Sequence, residues 1–541
     1  MKTLYVFSCL FLMAIVPGFG QAGSSPAQRG DLMFRRAEGV YKTGHFENAA
    51  QLYLQAAKLY VEADMPRNIL NARNHAARAY RHAFKHSDAL NILEQALQDS
   101  RRFSDQLRLN LSDTYFEKGS VYMQQSQYQQ AIGFLEKALN IRMQELSPTH
   151  RATAYVRSTI GECYLAVGKV DDALQFLHMA MSVDSTRKRY TADFCGNLAR
   201  AYERNGELDK AEFYGVEAVR LRQEMYGEKD IRVGKAYRML GNHYRINAMP
   251  EKALDALQTA LTVYLGELGA QHALTAEVYY YLGLTYLDAE KLPEAINAFR
   301  SSASIIETSY QGKKRLICPV YYHLGYTFEL NRRKENALMY YEKAFEAGKR
   351  IYGEDHRALA SFAYATGHGY LLNSQADKAM TFFEKAQSLR GNSYDLGAAE
   401  IFRDQGTVWQ QKTQWDKALA SYQKALFCLS PNFRSNDPRH NPQSGQFIGP
   451  TRLLFQVLIS KSEVLEHVYA ANGNEKDLVA SLQTLEQALQ LAESGNQEFI
   501  LSTPELKGHY QTAYGRALKL YQATRDEAYR EKVSYYSKKY R

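Results

Sequence analysis

Cysteine is scarce: 5 of 541 residues, and no two near enough in sequence for a CxxC redox pair or a zinc knuckle. Cys163, Cys195, Cys318 and Cys428 fall in helical stretches and are expected as buried, unpaired thiols. Proline is nearly as rare, 12 residues, and Pro431, Pro438, Pro442 and Pro450 crowd into one short stretch. Elsewhere little interrupts a helix. No Gly/Ser or acidic low-complexity tract is present. No HExxH, GxSxG, phosphate loop or calcium loop occurs either, so neither catalytic machinery, metal nor cofactor is expected. His82 and His86 stand four apart, but a turn near Lys85 should part them. Net charge is only +9 over 541 residues. That is too thin for nucleic acid and leans at most towards acidic partners.

Only one long apolar run exists, Leu4–Val16, preceded by Lys2. Pro17-Gly18-Phe19-Gly20 then offers small residues at −3 and −1 for cleavage before Gln21, the pattern of a secretory signal. The run is too short for a bilayer span. Residues 1–20 are therefore expected as a signal peptide, 21–29 as a short linker, and the mature chain as exported (periplasmic or extracellular, envelope-associated at most), with no integral membrane segment.

What the chain has in abundance is a spaced pattern. Small residues stand at Ala37, Ala77, Gly119, Gly161, Ala199, Gly241, Gly283, Gly325, Gly367 and Gly406, mostly 42 apart. Twelve residues after each comes alanine, from Ala49 to Ala418. The slot three after each is aromatic everywhere but Val40, and tyrosine in seven repeats. In the copy His323–His356, Gly325 and Ala337 mark the close crossing of two antiparallel helices, with Phe328 and Tyr341 filling the space beside it. Gly353 should end the second helix, and Asp355 should cap the next.

Gly, Tyr, Ala, an aromatic or Leu, and Ala in this order resemble the tetratricopeptide repeat (TPR) over about residues 30–430. The usual period is about 34 residues, and the longer period here lengthens the second helix by about two turns. Junctions such as Tyr226-Gly227-Glu228-Lys229-Asp230 look like those of kinesin-light-chain-type repeats. The resemblance implies an all-α, right-handed superhelical solenoid of about ten helix pairs, each too small to fold alone.

Regularity breaks at 431–450, a Pro-rich ordered loop or linker. Beyond it, 451–541 reads as a divergent helical cap with helices near 451–471, 475–494, 504–522 and 525–539. Segments 453–494 and 514–539 are similar to the helices joining TPR arrays to caspase-like CHAT domains in bacterial proteins. No strand-rich segment or His/Cys pair of that domain is present, so the resemblance transfers no peptidase activity; it leaves as an alternative the sensing half of a CHAT-type system whose catalytic part is missing or on another chain.

In a TPR solenoid, positions 2, 5, 6, 9, 12 and 13 of the first helices line the concave face. Asn197, Arg200, Arg204, Lys235, Arg238, Asn242 and Arg245 place guanidinium forks and amides there, chemistry suited to carboxylates and peptide backbone. The same residues would also suit a solvated face salted by Asp193 and Glu203. The carboxylate clamp of chaperone-binding repeats is matched at Asn197 and Lys235 only; Ser158, Glu162 and Met239 depart from it. Further on, Tyr280, Tyr281, Tyr322, His323, Tyr326, Tyr364 and His368 supply stacking surfaces and hydroxyls for a peptide, or packing between repeats. The expected function is a non-enzymatic scaffold that grips a protein or peptide, an acidic one by the charge of the first group. Oligomeric state has no sequence signal.

Overall fold

The computed structural model describes residues 24–101, 107–182, 188–312, 314–391, 393–443, 446–448, 451–493 and 503–541. The leader 1–20 and its cleavage point lie outside them. The chain divides into two compact units, Met1–Asn247 and Ala248–Arg541. Among the described residues every regular element is a helix, and none is long and apolar enough to cross a membrane.

Unit 1 holds α1 (Pro26–Lys42), α2 (Phe46–Glu62), α3 (Pro66–His82), α4 (His86–Ser100), α5 (Arg108–Gln124) and α6 (Tyr128–Glu145). These are followed by α7 (Arg151–Ala166), α8 (Val170–Met181), α9 (Lys188–Arg204), α10 (Leu208–Tyr226) and α11 (Ile231–Ile246). Unit 2 opens with α12 (Pro250–Leu268), α13 (Ala273–Asp288), α14 (Leu292–Tyr310), α15 (Ile317–Leu330), α16 (Lys334–Tyr352), α17 (Leu359–Leu372) and α18 (Ala376–Arg390). It closes with α19 (Leu396–Gln411), α20 (Trp415–Leu429), α21 (Thr451–Asn472), α22 (Glu475–Glu493), α23 (Thr503–Thr524) and α24 (Glu527–Tyr540). From α1 to α10 in unit 1 and from α13 to α24 in unit 2, an odd-numbered helix packs on the even-numbered one after it and each pair packs on the next, while α11 packs on α10 and α12 on α13.

The small residues do what their spacing predicts, against a partner sixteen residues on. A methyl group at Gly325 would stand 2.5 Å from Tyr341 Cδ1 and 3.1 Å from the Ala337 carbonyl. Gly283 meets Phe299 at 2.6 Å, Gly367 meets Phe383 at 2.8 Å, and Gly161 meets Leu177 at 2.8 Å in the same way. The aromatic three residues after the small one stacks on a ring twelve residues further along, on the second helix. Tyr122–Phe134 (5.4 Å), Tyr164–Phe176 (5.5 Å), Tyr202–Tyr214 (5.6 Å), Phe328–Tyr340 (5.4 Å) and Tyr370–Phe382 (5.4 Å) all repeat it. Much of the chain's tyrosine is therefore architecture.

The turn inside each pair also repeats. A residue with φ near +60° follows the first helix (Phe84, Ser126, Arg332, Ser374), or glycine does (Gly168, Gly206). The next N–H reaches back to the carbonyl of the recurring aromatic, as Lys85 does to Tyr80 and Arg333 to Phe328. This is the bonding of a Schellman ending. Between pairs, Gly353 ends α16 at φ 90°, as expected, but Asp355 does not cap α17. His356 Nδ1 accepts from the Ala358 N–H at 3.1 Å, and Asp355 lies 3.2 Å from Lys385 instead. The cap is the third residue after the glycine: Asp230 follows Gly227 and His272 follows Gly269 in the same role. Asp355 is one place too early.

Cys163, Cys195, Cys318 and Cys428 are buried and unpaired. Burial pushes the first, second and fourth thiols up to about 12 and that of Cys318 to about 11, so they stay protonated and unreactive.

The described residues of the Pro-rich stretch, 431–443 and 446–448, form a loop without regular structure, tied to its unit through Lys461. That side chain is fully buried, and its Nζ donates to Gln423 Oε1 (2.7 Å), the His440 carbonyl (2.8 Å) and Asn441 Oδ1 (2.7 Å). Gln423 Nε2 donates to the Ser435 carbonyl at 2.6 Å, and Arg439 bonds Asp477 on α22 at 2.7 Å. The helices after the loop, α21 to α24, continue the pairing.

Candidate functional site

The side chains expected to line the first helices fall into two groups, one in each unit. In unit 1, Asn197 on α9 donates its amide to Ser158 Oγ (2.9 Å) and Glu162 Oε1 (2.8 Å) on α7. Arg200 donates to Asn197 Oδ1 (2.6 Å) and lies 3.4 Å from Glu162. Arg204 donates to the Leu165 carbonyl. On α11, Arg245 donates to Asn242 Oδ1 at 3.2 Å, and Arg238 is half-buried. Lys235 is exposed and lines a cavity of about 200 Å³ with Arg189, Asp193, Arg222 and Arg232.

The carboxylates that would salt a plain solvated face are engaged elsewhere. Asp193 pairs with Arg222 of α10 at 2.7 Å, and Glu203 with the buried His243 at 2.6 Å. Glu162 is the counter-ion of Arg200. The residues that looked like departures from a clamp, Ser158 and Glu162, hold Asn197 in place. Earlier in the unit Arg78 and Arg81 grip Glu117 at 2.6 and 3.3 Å, its side chain 1% exposed.

In unit 2, Tyr280 Oη stands 3.5 Å from His323 Nδ1, which also meets the Pro319 carbonyl at 2.8 Å. The His323 ring stacks on Phe299 at 5.8 Å, and Tyr281 sits edge-on to Tyr280 at 5.6 Å. These three are half-buried packing residues with one polar edge. Tyr322 meets the rings of His323 (5.1 Å) and Tyr341 (5.9 Å), while Tyr326 is 39% exposed.

His368 is the centre of a different arrangement. Its Nδ1 lies 2.7 Å from Asp404 Oδ2 on α19 and its Nε2 3.3 Å from Glu329 Oε1 on α15. Glu329 also accepts from Tyr341 Oη at 2.7 Å. Asp404, 4% exposed, accepts from Tyr364 Oη at 3.1 Å and pairs with Arg403 at 2.6 Å. Arg403 donates onward to Gln456 Oε1 on α21 at 2.8 Å. Four successive first helices are thus joined by one chain of charged bonds. Burial works against the His368 imidazolium, but Asp404 and Glu329 outweigh it and raise its pKa to about 10. Burial likewise opposes the charge on Asp404, and Arg403 and His368 overcome it and hold the carboxyl below its usual range. Glu400 differs: burial raises its pKa, with Arg403 opposing.

Tyr364 and His368 are thus brought together, whereas Tyr280 and His323 form a separate contact. Sequence reasoning passed over Glu329, Glu400, Arg403, Asp404 and Gln456. A signal was present for four of them. Glu329 occupies position 12 of its repeat, and Glu400, Arg403 and Asp404 occupy positions 2, 5 and 6 of the repeat marked by Gly406. Their partners lie about one repeat away: Glu329–His368, 39 residues, and His368–Asp404, 36 residues.

Family comparison agrees with this architecture. The tetratricopeptide-repeat model matches residues 110–185, 190–266 and 232–308, and related models of the same description match 69–102 and 319–347. Those stretches of the chain are tetratricopeptide repeats. Among solved structures, a putative kinesin light chain of Podosopora anserina with nearly identical TPR-like repeats is 20% identical, covering 38% of this chain and 98% of that one, with TM-score 0.33. The apo quorum sensor NprR from B. thuringiensis is 15% identical over 60% of this chain and 89% of its own, TM-score 0.47. Apo RapI is 13% identical over 67% and 97%, TM-score 0.46. No curated protein matches the chain.

Proposed function

We propose that this TPR protein is an exported scaffold, not an enzyme, which holds a protein or peptide segment along the faces of its first helices. The observation that carries the reading is the chain of charged bonds from Glu329 through His368, Asp404 and Arg403 to Gln456. It fixes lining side chains of four helices before any partner arrives, which lowers the ordering cost of gripping an extended segment. In unit 1, Arg200 is 49% exposed although bonded to Asn197, and it faces a partner with a charge that suits carboxylates. Export is supported by the sequence pattern of the leader 1–20.

Partners cross-linked to the mature protein in exported fractions test this. Wild type is compared with Arg200→Glu/Arg204→Glu/Arg238→Glu/Arg245→Glu and with Tyr322→Ala/Tyr326→Ala. Each variant should lose partners that wild type retains. Identical partner sets in all three would remove the first-helix faces from the function, and a mature protein confined to the cytoplasm would remove export.

A further inference from the structure

The cavity of about 200 Å³ in unit 1 lies where α9 and α11 begin and α10 ends. Among the described residues that line it are four cations, Arg189, Arg222, Arg232 and Lys235, and a single carboxylate, Asp193. Two of the cations are held in place. Arg222, 14% exposed, donates from Nη2 to Asp193 Oδ1 at 2.7 Å and from Nη1 to the Ala192 and Ala218 carbonyls at 3.1 Å each. Arg232 forks onto both oxygens of Asp230, the α11 cap, at 2.8 and 2.7 Å. Its guanidinium also lies 3.3 Å from the centre of the Tyr226 ring. Among the described residues Arg189 and Lys235, both exposed, make no hydrogen bond or ion pair.

Charge then decides what the cavity suits. The pairs Arg222–Asp193 and Arg232–Asp230 cancel, which leaves the two positive charges of Arg189 and Lys235. The surface beside them adds none, because Lys188 is paired with Glu224 and Arg220 with Glu217. One carboxylate would neutralise half of the excess. A phosphoryl group carries about −1.5 to −2 at neutral pH and three strong acceptor oxygens, which matches all of it. Guanidinium forks meet such oxygens in pairs, and lysine adds a point charge. A water claims about 30 Å³ of liquid, so the cavity has room for a phosphoryl group with waters around it.

We propose that this cavity binds a phosphoryl dianion, inorganic phosphate or a phosphorylated side chain, through Arg189 and Lys235, with Arg222 and Arg232 as its fixed walls. Of the basic first-helix set it uses Lys235 alone, and it does not rest on the scaffold function.

The test uses the full mature chain, with inorganic phosphate titrated by calorimetry and a fluorescent phosphoserine octapeptide read by anisotropy. The same peptide carrying Glu or unmodified Ser is the comparison. Arg189→Gln/Lys235→Gln breaks no bond, so it should melt at the wild-type temperature. It should weaken binding of the phosphoryl probe about tenfold or more, as loss of charged hydrogen bonds implies. Lys58→Gln/Arg67→Gln, which removes two exposed charges from α2 and α3, should leave that binding unchanged; an equal loss would mean diffuse attraction and overturn the site. Inorganic phosphate that binds as tightly as the phosphopeptide assigns the site to the free ion, and a tighter phosphopeptide assigns it to a modified side chain. A Glu peptide that binds as tightly as the phosphopeptide would overturn the dianion assignment. The site also falls if neither phosphoryl probe binds wild type, or if Arg189→Gln/Lys235→Gln binds as wild type does; the scaffold reading, tested through other residues, survives either result.

Discussion

His368 shows how one proton can be structural. Its imidazolium is stabilised by Asp404 and Glu329 against the cost of burial, so the folded protein binds that proton up to about pH 10, whereas the unfolded chain releases it near 6.5. The stabilisation is complete below the unfolded value and disappears as pH rises through the folded one. Wild type should therefore exceed His368→Gln in denaturant midpoint at pH 6, and the gap should close by pH 10. A gap that stays constant would mean the ring acts through packing alone. This residue was visible in the sequence as one of a tyrosine-rich set, but its partners were not. Aromatics and amides stand out by type, whereas Glu329 and Asp404 are ordinary residues whose role depends on cross-repeat distance. Spacing of 36 to 40 residues between lining positions is the signal that names them, here and in Arg78–Glu117 and Asn197–Ser158.

At the scale of elements, the helix pair is set by one close approach, and the chain keeps it even where it changes the residues. Most repeats place glycine on the first helix against a bulky partner sixteen residues later. In the fifth repeat Ala199 carries a methyl, and the facing position is Gly215, whose added Cβ would lie 3.9 Å from that of Ala199. The small residue has moved to the other helix. Gly325→Val should thus overpack against Tyr341, cost about 1–3 kcal/mol and disturb the Tyr341–Glu329 bond, lowering the melting temperature. Gly39→Ala, with nothing within 4 Å, should leave it unchanged or raise it slightly. The Pro-rich loop has the reverse logic, being held by side chains of the helices beneath it, the fully buried Lys461 foremost. Lys461→Met would strand the Gln423, His440 and Asn441 acceptors at about 1–3 kcal/mol per unmet group. Cleavage by protease within 431–443 should become faster before the helices are cut. This loop was legible as four prolines; that it is fastened was not, because a lone lysine in an apolar helix carries no pattern.

Over the whole molecule the period made the architecture readable almost in full, while the caps between pairs were read one residue wrong at Asp355. The reason is physical. Packing positions recur in every repeat and reinforce one another in the sequence, whereas a cap is a local contact that Asp or His can make. An array of this kind gains stability from each pair and from its immediate neighbours, with no central core to couple distant parts. A lesion should therefore spread by contact and decay. Gly161→Val forces a side chain towards Leu177 and the Ala173 carbonyl, 2.8 and 3.2 Å from where a Cβ would stand. Amide hydrogen exchange on the full chain should accelerate most in α7 and α8, less in α5, α6, α9 and α10, and not in α17 to α20. Gly367→Val, whose Cβ would stand 2.8 Å from Phe383, should give the mirror result, with α17 and α18 opening and α5 to α8 unchanged. Uniform acceleration from either site would instead identify a single cooperative fold, and stability could no longer be summed pair by pair.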